Sequence, residues 1–279
     1  MKQHILKLLQ ISRPRFWLYG LGPYLFGIAH IYAFGEFLFP WWIYVVFGLF
    51  FTFPANLLVY GINDIFDYNT DISNPKKRSY ENLLSRDAVR PLLVNIILAL
   101  IPFIAVAIIF LSWQAWVMMA LGIVLLITYS TPPIRSKQIP FLDSIWNALM
   151  SLFGFFFVLT MSGMSFPLWG SLAGGIWAGA LHAYSAVPDI FYDTNARIST
   201  IATYLGERKT LGFVVLAMSI ATALGAIIGG SIVLLVGLCY VLITLLSYYQ
   251  PHRIMAHYKI IPLVTACGGM ILFFVILFG

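Results

Sequence analysis

Charge is what this sequence lacks. Only 9% of its 279 residues are Asp, Glu, Lys or Arg, against 61% hydrophobic, and the mean hydropathy is +0.92. A soluble domain covers its whole surface with mixed charge, and that class is excluded here. Cysteine is almost absent as well. Cys239 and Cys267 each sit inside an apolar run, which rules out a disulfide framework and a cysteine metal site. No linker or low-complexity stretch interrupts the chain, so residues 1–279 read as a single domain. The formal charge of +6 is of the sign a nucleic-acid partner requires, but the basic residues are confined to short breaks between apolar runs and no nucleic acid is expected.

Long apolar runs are what the sequence does have. A spanning helix needs about 20 mostly apolar residues. Nine such runs can be drawn, near 16–35, 41–62, 91–112, 113–130, 143–161, 166–188, 210–229, 231–249 and 260–278. With nine spans and a cytoplasmic amino terminus, all 16 Lys and Arg fall on the cytoplasmic side, while the opposite breaks hold one charge, Glu36. The positive-inside rule demands that asymmetry, and a miscount by one helix would destroy it. The expectation is an all-α, multi-pass integral membrane protein, in the plasma membrane of a prokaryote, with its amino terminus inside. Ahead of the first span, Ile5, Leu8 and Leu9 can share one face of a short interfacial helix, and Arg13, Pro14 and Arg15 mark where the first span begins.

Against this background, "GINDIFDYNTD" at 61–71 is conspicuous. Asp64, Asp67 and Asp71 are spaced i, i+3, i+7, within about 60° on a helix. Asn56, Tyr60 and Asn63 extend the stripe into the span. Polar groups there must face a cavity or another polar group, since lipid offers no partner. Asp189 and Asp193, in "HAYSAVPDIFYD", form a second acidic face about 125 residues later, with His182 seven residues before Asp189. Two helix pairs of similar layout would bring both clusters to one cavity. Five converging carboxylates need cations, and hard oxygen ligands suit Mg²⁺, which binds through one or two carboxylates plus substrate phosphates. An EF-hand is a poorer fit, because the required glycine and terminal glutamate are missing.

Basic groups stand nearby in sequence. "YSTPPIRSKQIP" at 129–140 offers Tyr129, Arg135 and Lys137, and Lys76, Lys77 and Arg78 follow the first cluster. Metal on some oxygens with guanidinium or ammonium on others is what a doubly held diphosphate requires. Topology alone also places basic residues in cytoplasmic loops.

These segments resemble the UbiA-type intramembrane prenyltransferases. "NDIFDYNTD" matches that family's NDxxDxxxD element at Asn63, Asp64, Asp67 and Asp71. "DIFYD" matches its DxxxD element at Asp189 and Asp193, and "YSTPPIRSK" is similar to its tyrosine-to-lysine loop. The resemblance implies nine helices in a bundle around a central cavity, with a cytoplasmic mouth and an isoprenyl diphosphate donor held through Mg²⁺. Within the superfamily, "SRPRFWLYG", "NDIFDYNTDISNPKK" and "HAYSAVPDI" look most like the lycopene elongases. One departure stands out. Relatives usually carry glycine four residues after the last aspartate and a basic residue two further on, where this chain has Arg197 and Ser199. Arg197 is i+4 from Asp193, which fits a helical ion pair; it could equally replace the phosphate contact missing at Ser199.

The implied chemistry is ionisation of an allylic diphosphate, dimethylallyl diphosphate as first choice, and transfer of the prenyl group to a lipophilic acceptor. Asp64, Asp67, Asp71, Asp189 and Asp193 are the catalytic metal ligands, with Asn63 as a direct or orienting one. Tyr129, Arg135, Lys137, His182 and Arg197 are the substrate-binding candidates. His182 also reads as a packing residue. A carotenoid acceptor such as lycopene is expected. An aromatic acceptor, as in quinone or chlorophyll-type synthesis, is the alternative within the superfamily. A cation transporter is the alternative of another class, disfavoured because the acids lie at the membrane edge rather than its midplane.

Overall fold

A computed structural model describes residues 2–68 and 86–278. Asp71 and the Lys76–Arg78 run lie outside the described residues. The described residues are helical throughout, without a strand: α1 (Lys2–Ile11), α2 (Trp17–Phe34), α3 (Trp41–Phe50), α4 (Phe53–Phe66), α5 (Val89–Phe110), α6 (Trp113–Thr128), α7 (Leu142–Met161), α8 (Leu168–Ala186), α9 (Ile190–Asn195), α10 (Ile201–Leu205), α11 (Glu207–Tyr249), α12 (Ile254–Tyr258) and α13 (Ile261–Phe278). Among them, α3 with α4, α5, α7, α11 and α13 are long and apolar enough to cross a bilayer, and α6 is apolar but shorter. The 43 residues of α11 double back at Gly230, whose φ of 71° only glycine adopts without strain. That turn divides the sequence runs 210–229 and 231–249.

The chain forms two compact units, Met1–Arg135 with Phe153–Ser165, and Ser136–Leu152 with Phe166–Gly279. In the first, aromatic side chains make the core: Phe47 and Phe50 are fully buried, and Phe51, Phe153 and Phe157 stack edge-on around them. Glycines make room for this bulk. A side chain at Gly122 would overlap the Phe153 ring, and one at Gly27 would overlap Val158. Outward, Ile97, Leu98, Ile101, Ile108 and Ile109 of α5 are more than half exposed, a face that only hydrocarbon can cover. Trp41 and Trp113, both well exposed, begin α3 and α6, as interface-belt residues do.

The second run, 41–62, is not one uninterrupted helix. It breaks at Phe51 and Thr52 because Pro54 cannot continue the α3 hydrogen-bond ladder. At the break the Phe51 carbonyl accepts from Asn56 Nδ2 at 3.1 Å, and the Thr52 carbonyl accepts from Asn56 Nδ2 at 2.6 Å as well as from the Asn56 backbone N–H at 3.4 Å. Of the two settings open to the polar stripe, a cavity or another polar group, Asn56 takes the second and serves the local backbone.

In the second unit, α8 packs along α11. Its small residues Ala180 and Ala183 let the backbones approach, and Tyr184, Leu211, Val214, Met218 and Tyr240 close the core. Three polar contacts lie inside it. Tyr184 Oη and Ser247 Oγ lie 2.6 Å apart, Ser247 Oγ is 3.0 Å from His257 Nδ1, and Tyr240 Oη donates to Thr265 Oγ1 at 3.0 Å.

Candidate active site

The first acidic motif sits where a helix is least hospitable to it. Asp64 is in the last turn of α4 and Asp67 is the C-cap, so both face the negative end of the helix dipole. Each is answered by an arginine from elsewhere in the same unit. Arg13 Nη2 donates to Asp64 Oδ1 at 2.9 Å, with its guanidinium also 4.6 Å over the Tyr60 ring. Arg135 Nη2 donates to Asp67 Oδ1 at 3.0 Å and to the Phe66 carbonyl at 3.3 Å. The side chains of both pairs are between 10% and 27% exposed, too sheltered for water to dissolve the attraction. Ser130 Oγ donates to Asn63 Oδ1 at 3.2 Å, tying the motif to the end of α6 beside Tyr129, its C-cap.

Arg13 and Arg135 share an unusual backbone, with φ of 51° and 42°. Non-glycine residues in that region are uncommon and gather at functional sites. Arg135 carries a second signal. Its Nε is buried and has no hydrogen-bond partner among the described residues. A guanidinium with one edge on Asp67 and a buried donor left over fits an anionic oxygen next to the carboxylate.

In the second unit, a single 3₁₀ turn, Val187–Asp189, follows α8 and leads into α9, so Asp189 and Asp193 stand at the start of a short helix. Pro188 tightens this segment without turning it aside. Both aspartates are half-buried, as is Lys137, which lies in the 3₁₀ turn Ser136–Gln138. The end of α9 explains the departure at position 197. Ile198 N–H reaches the Asp193 carbonyl at 2.8 Å and Arg197 N–H reaches that of Thr194 at 3.1 Å, the two bonds of a Schellman cap. Arg197 occupies the left-handed position of that cap, φ 56°, where glycine is the usual residue. Because α9 ends at Asn195, the helical i+4 pair with Asp193 is not formed, and the Arg197 side chain is exposed.

Two residues in these surroundings were not anticipated as site residues. Arg13 was read as marking only the start of the first span, and nothing in its spacing points to Asp64. Asp143 is fully buried near the start of α7, with its Oδ2 4.0 Å from His182 Nε2. Its signal was present in the sequence, a lone acid inside the apolar run 143–161.

Among the described residues, no three carboxylate, imidazole or thiol groups converge to cage a metal. The oxygen donors of Asp64 and Asp67 instead suit a hard cation that takes one or two carboxylates and completes its shell with phosphate and water. A cavity of about 480 Å³ in the second unit, walled by Pro188, Phe191, Asn195, Glu207 and Met255 among others, takes in none of the predicted site residues.

Comparison with known proteins gives the family and the fold. The profile of the UbiA prenyltransferase family matches residues 20–275. A lycopene elongase/hydratase of Halobacterium salinarum is 39% identical over 204 residues, 73% of this chain and 72% of that one. A lycopene elongase/hydratase of Corynebacterium glutamicum is 32% identical over 228 residues, 80% and 78% of the two chains. The fold is similar to that of a UbiA homolog from Archaeoglobus fulgidus bound to GPP and Mg²⁺, with a TM-score of 0.71 and 22% identity across 96% of this chain and 99% of the other. It is also similar to the apo structure of a UbiA homolog from Aeropyrum pernix K1, with a TM-score of 0.73 and 15% identity across 93% and 98%. An all-helical chain with lipid-facing apolar surfaces, a sheltered acidic motif matched by arginines, and a family profile covering nearly its whole length belongs to the UbiA prenyltransferase family, and it is an integral membrane prenyltransferase.

Proposed function

We propose that this enzyme ionises dimethylallyl diphosphate in a Mg²⁺-dependent reaction and transfers the C5 group to a carotenoid acceptor of the lycopene type. The observation that carries the donor half is Arg135, locked on Asp67 and the Phe66 carbonyl with a buried Nε still to be matched. A diphosphate oxygen beside Asp67 would match it. The relatives named lycopene elongase/hydratase support the acceptor half, and the A. fulgidus homolog structures with GPP or DMAPP and Mg²⁺ support the cofactor.

In this reading Asp64, Asp67 and Asp71 of the first motif and Asp189 and Asp193 of the second hold Mg²⁺ for one diphosphate, with Asn63 as an additional oxygen ligand. Bound there, Mg²⁺ supplies charge neutralisation for the leaving diphosphate. Arg135 and Lys137 grip phosphate oxygens, Tyr129 helps place them, and Arg197 is an outer contact. Arg13 keeps Asp64 oriented through its 2.9 Å bond. The apolar surroundings exclude water and strengthen each of these interactions. Nine spans, a cytoplasmic amino terminus and one domain over 1–279 complete the proposal, supported by the placement of all 16 Lys and Arg.

The test is expression in a lycopene-producing host, with the pigments separated by mass. Products heavier than lycopene by one or two C5 units, with or without water, are expected. Unchanged lycopene overturns the carotenoid assignment and points to an aromatic acceptor.

A further inference from the structure

The second unit holds a fully buried carboxylate for which donor binding has no use. Asp143, the second residue of α7, is 0% exposed. A charge in such a place is costly unless it is bonded. Both of its oxygens are held. Oδ1 accepts from Ser144 N–H at 2.8 Å, and Oδ2 accepts from Ile201 N–H at 2.9 Å. The second bond ties α7 to the first residue of α10, just after the segment that closes the cap on Asp193. A neutral amide or hydroxyl could make a tie of that kind without burying a charge. What an ionised carboxylate adds is a field, and His182 Nε2, 4.0 Å from Oδ2, is placed to feel it.

His182 is also well placed with respect to the second acidic motif. It precedes Asp189 by seven residues, along α8 and then the 3₁₀ turn. Seven steps, four or five of them helical and the rest tighter, keep the two side chains within about 40° around the axis and about 12 Å apart along it. A histidine backed by a buried carboxylate thus stands two turns above the motif assigned to the diphosphate, on the same side.

We propose that His182 is the proton acceptor that completes prenyl transfer, and that Asp143 is the positioning residue that orients its ring and stabilises the imidazolium. This rests on the carotenoid reading above. The donor's C1–O bond breaks and its electron pair leaves with the diphosphate. The acceptor's terminal C=C supplies the pair for the new C–C bond and is left as a tertiary cation. His182 then takes a proton from the adjacent carbon, and that C–H pair becomes the new C=C. Where water adds to the cation instead, the proton it sheds goes to the same imidazole. In both cases the imidazolium returns its proton to the released diphosphate or to water, so the cycle needs no other reactant. Asp143 takes no proton in the cycle and keeps its two N–H donors.

The experiment uses membranes containing the full-length protein, lycopene, dimethylallyl diphosphate and Mg²⁺, and follows product mass and released diphosphate together. If the wild-type protein gives no heavier carotenoid, the carotenoid reading falls and takes this inference with it. With an active wild type, His182→Ala should lower product formation by about 100-fold, the size expected for a lost general base. Diphosphate release should fall less, and added imidazole should restore part of the product. Asp143→Asn should lie between the two, with the same separation of product formation from diphosphate release. His182→Gln, close in volume, decides the matter if the alanine variant does not fold. Wild-type rate and product composition in His182→Gln, or a loss in His182→Ala that imidazole leaves untouched while the thermal midpoint is preserved, would overturn the inference.

Discussion

Replacing Arg197 with glycine should stabilise this protein, an unusual direction for a single substitution. Position 197 is the left-handed residue of the cap on α9, at φ 56°, and the bonds on either side, Arg197 N–H to Thr194 and Ile198 N–H to Asp193, fix that conformation. An L side chain there costs about 1–2 kcal/mol. Glycine removes the cost but gains freedom in the unfolded chain, returning about 0.5–1 kcal/mol. The net is a stabilisation of about 0.5–1 kcal/mol, or roughly 1–3 °C in thermal midpoint for a chain of this size. Thermal unfolding in detergent reads it, with Arg197→Ala as the control, since alanine keeps the Cβ and should gain nothing. Equal midpoints in the two variants, or a lower one for glycine, would refute the reasoning and show that the arginine makes a contact worth more than its strain. Donor KM is a separate readout. A rise shared by both variants marks a phosphate contact from the guanidinium, and an unchanged KM leaves position 197 a purely backbone role.

Other substitutions probe other parts of the structure. Arg135→Lys keeps the charge but loses the planar fork that reaches Asp67 and the Phe66 carbonyl, together with the buried Nε donor; kcat/KM for the donor should fall about tenfold, near 1.4 kcal/mol. Gly122→Ala drives a methyl into the Phe153 ring and should destabilise by about 1–3 kcal/mol, read as a lower thermal midpoint. Asn56→Ala strips the Phe51 carbonyl of its side-chain donor at the break between α3 and α4 and leaves the Thr52 carbonyl only the backbone N–H of residue 56; it should cost about 1–3 kcal/mol, without a direct effect on donor KM.

Much of this was legible in the sequence because membranes simplify the code. With no water to satisfy the backbone, apolar length alone marks helices, so the runs 91–112, 143–161 and 260–278 correspond closely to α5, α7 and α13. The acidic motifs were legible for the complementary reason, that a carboxylate beside hydrocarbon has to be matched by something. What sequence could not supply was the match itself. Arg13 is 51 residues from Asp64, and Arg135 is 68 from Asp67, and no local rule couples positions so far apart. Which polar group Asn56 meets was not legible, because helical spacing cannot see that Pro54 has broken the ladder just behind it. The role of position 197 depended on a dihedral angle, which the identity of arginine conceals and glycine would have advertised.

Donor binding probes the two acidic motifs most directly. Binding of dimethylallyl diphosphate to the purified protein, with and without Mg²⁺, can be compared among the wild type, Asp67→Asn and Asp189→Asn, each confirmed as folded. If both motifs serve one diphosphate through Mg²⁺, wild-type binding requires the metal and either substitution alone removes the metal-dependent part. Wild-type affinity in the Asp189→Asn protein would contradict that, leaving the first motif and its arginines to hold the donor by themselves.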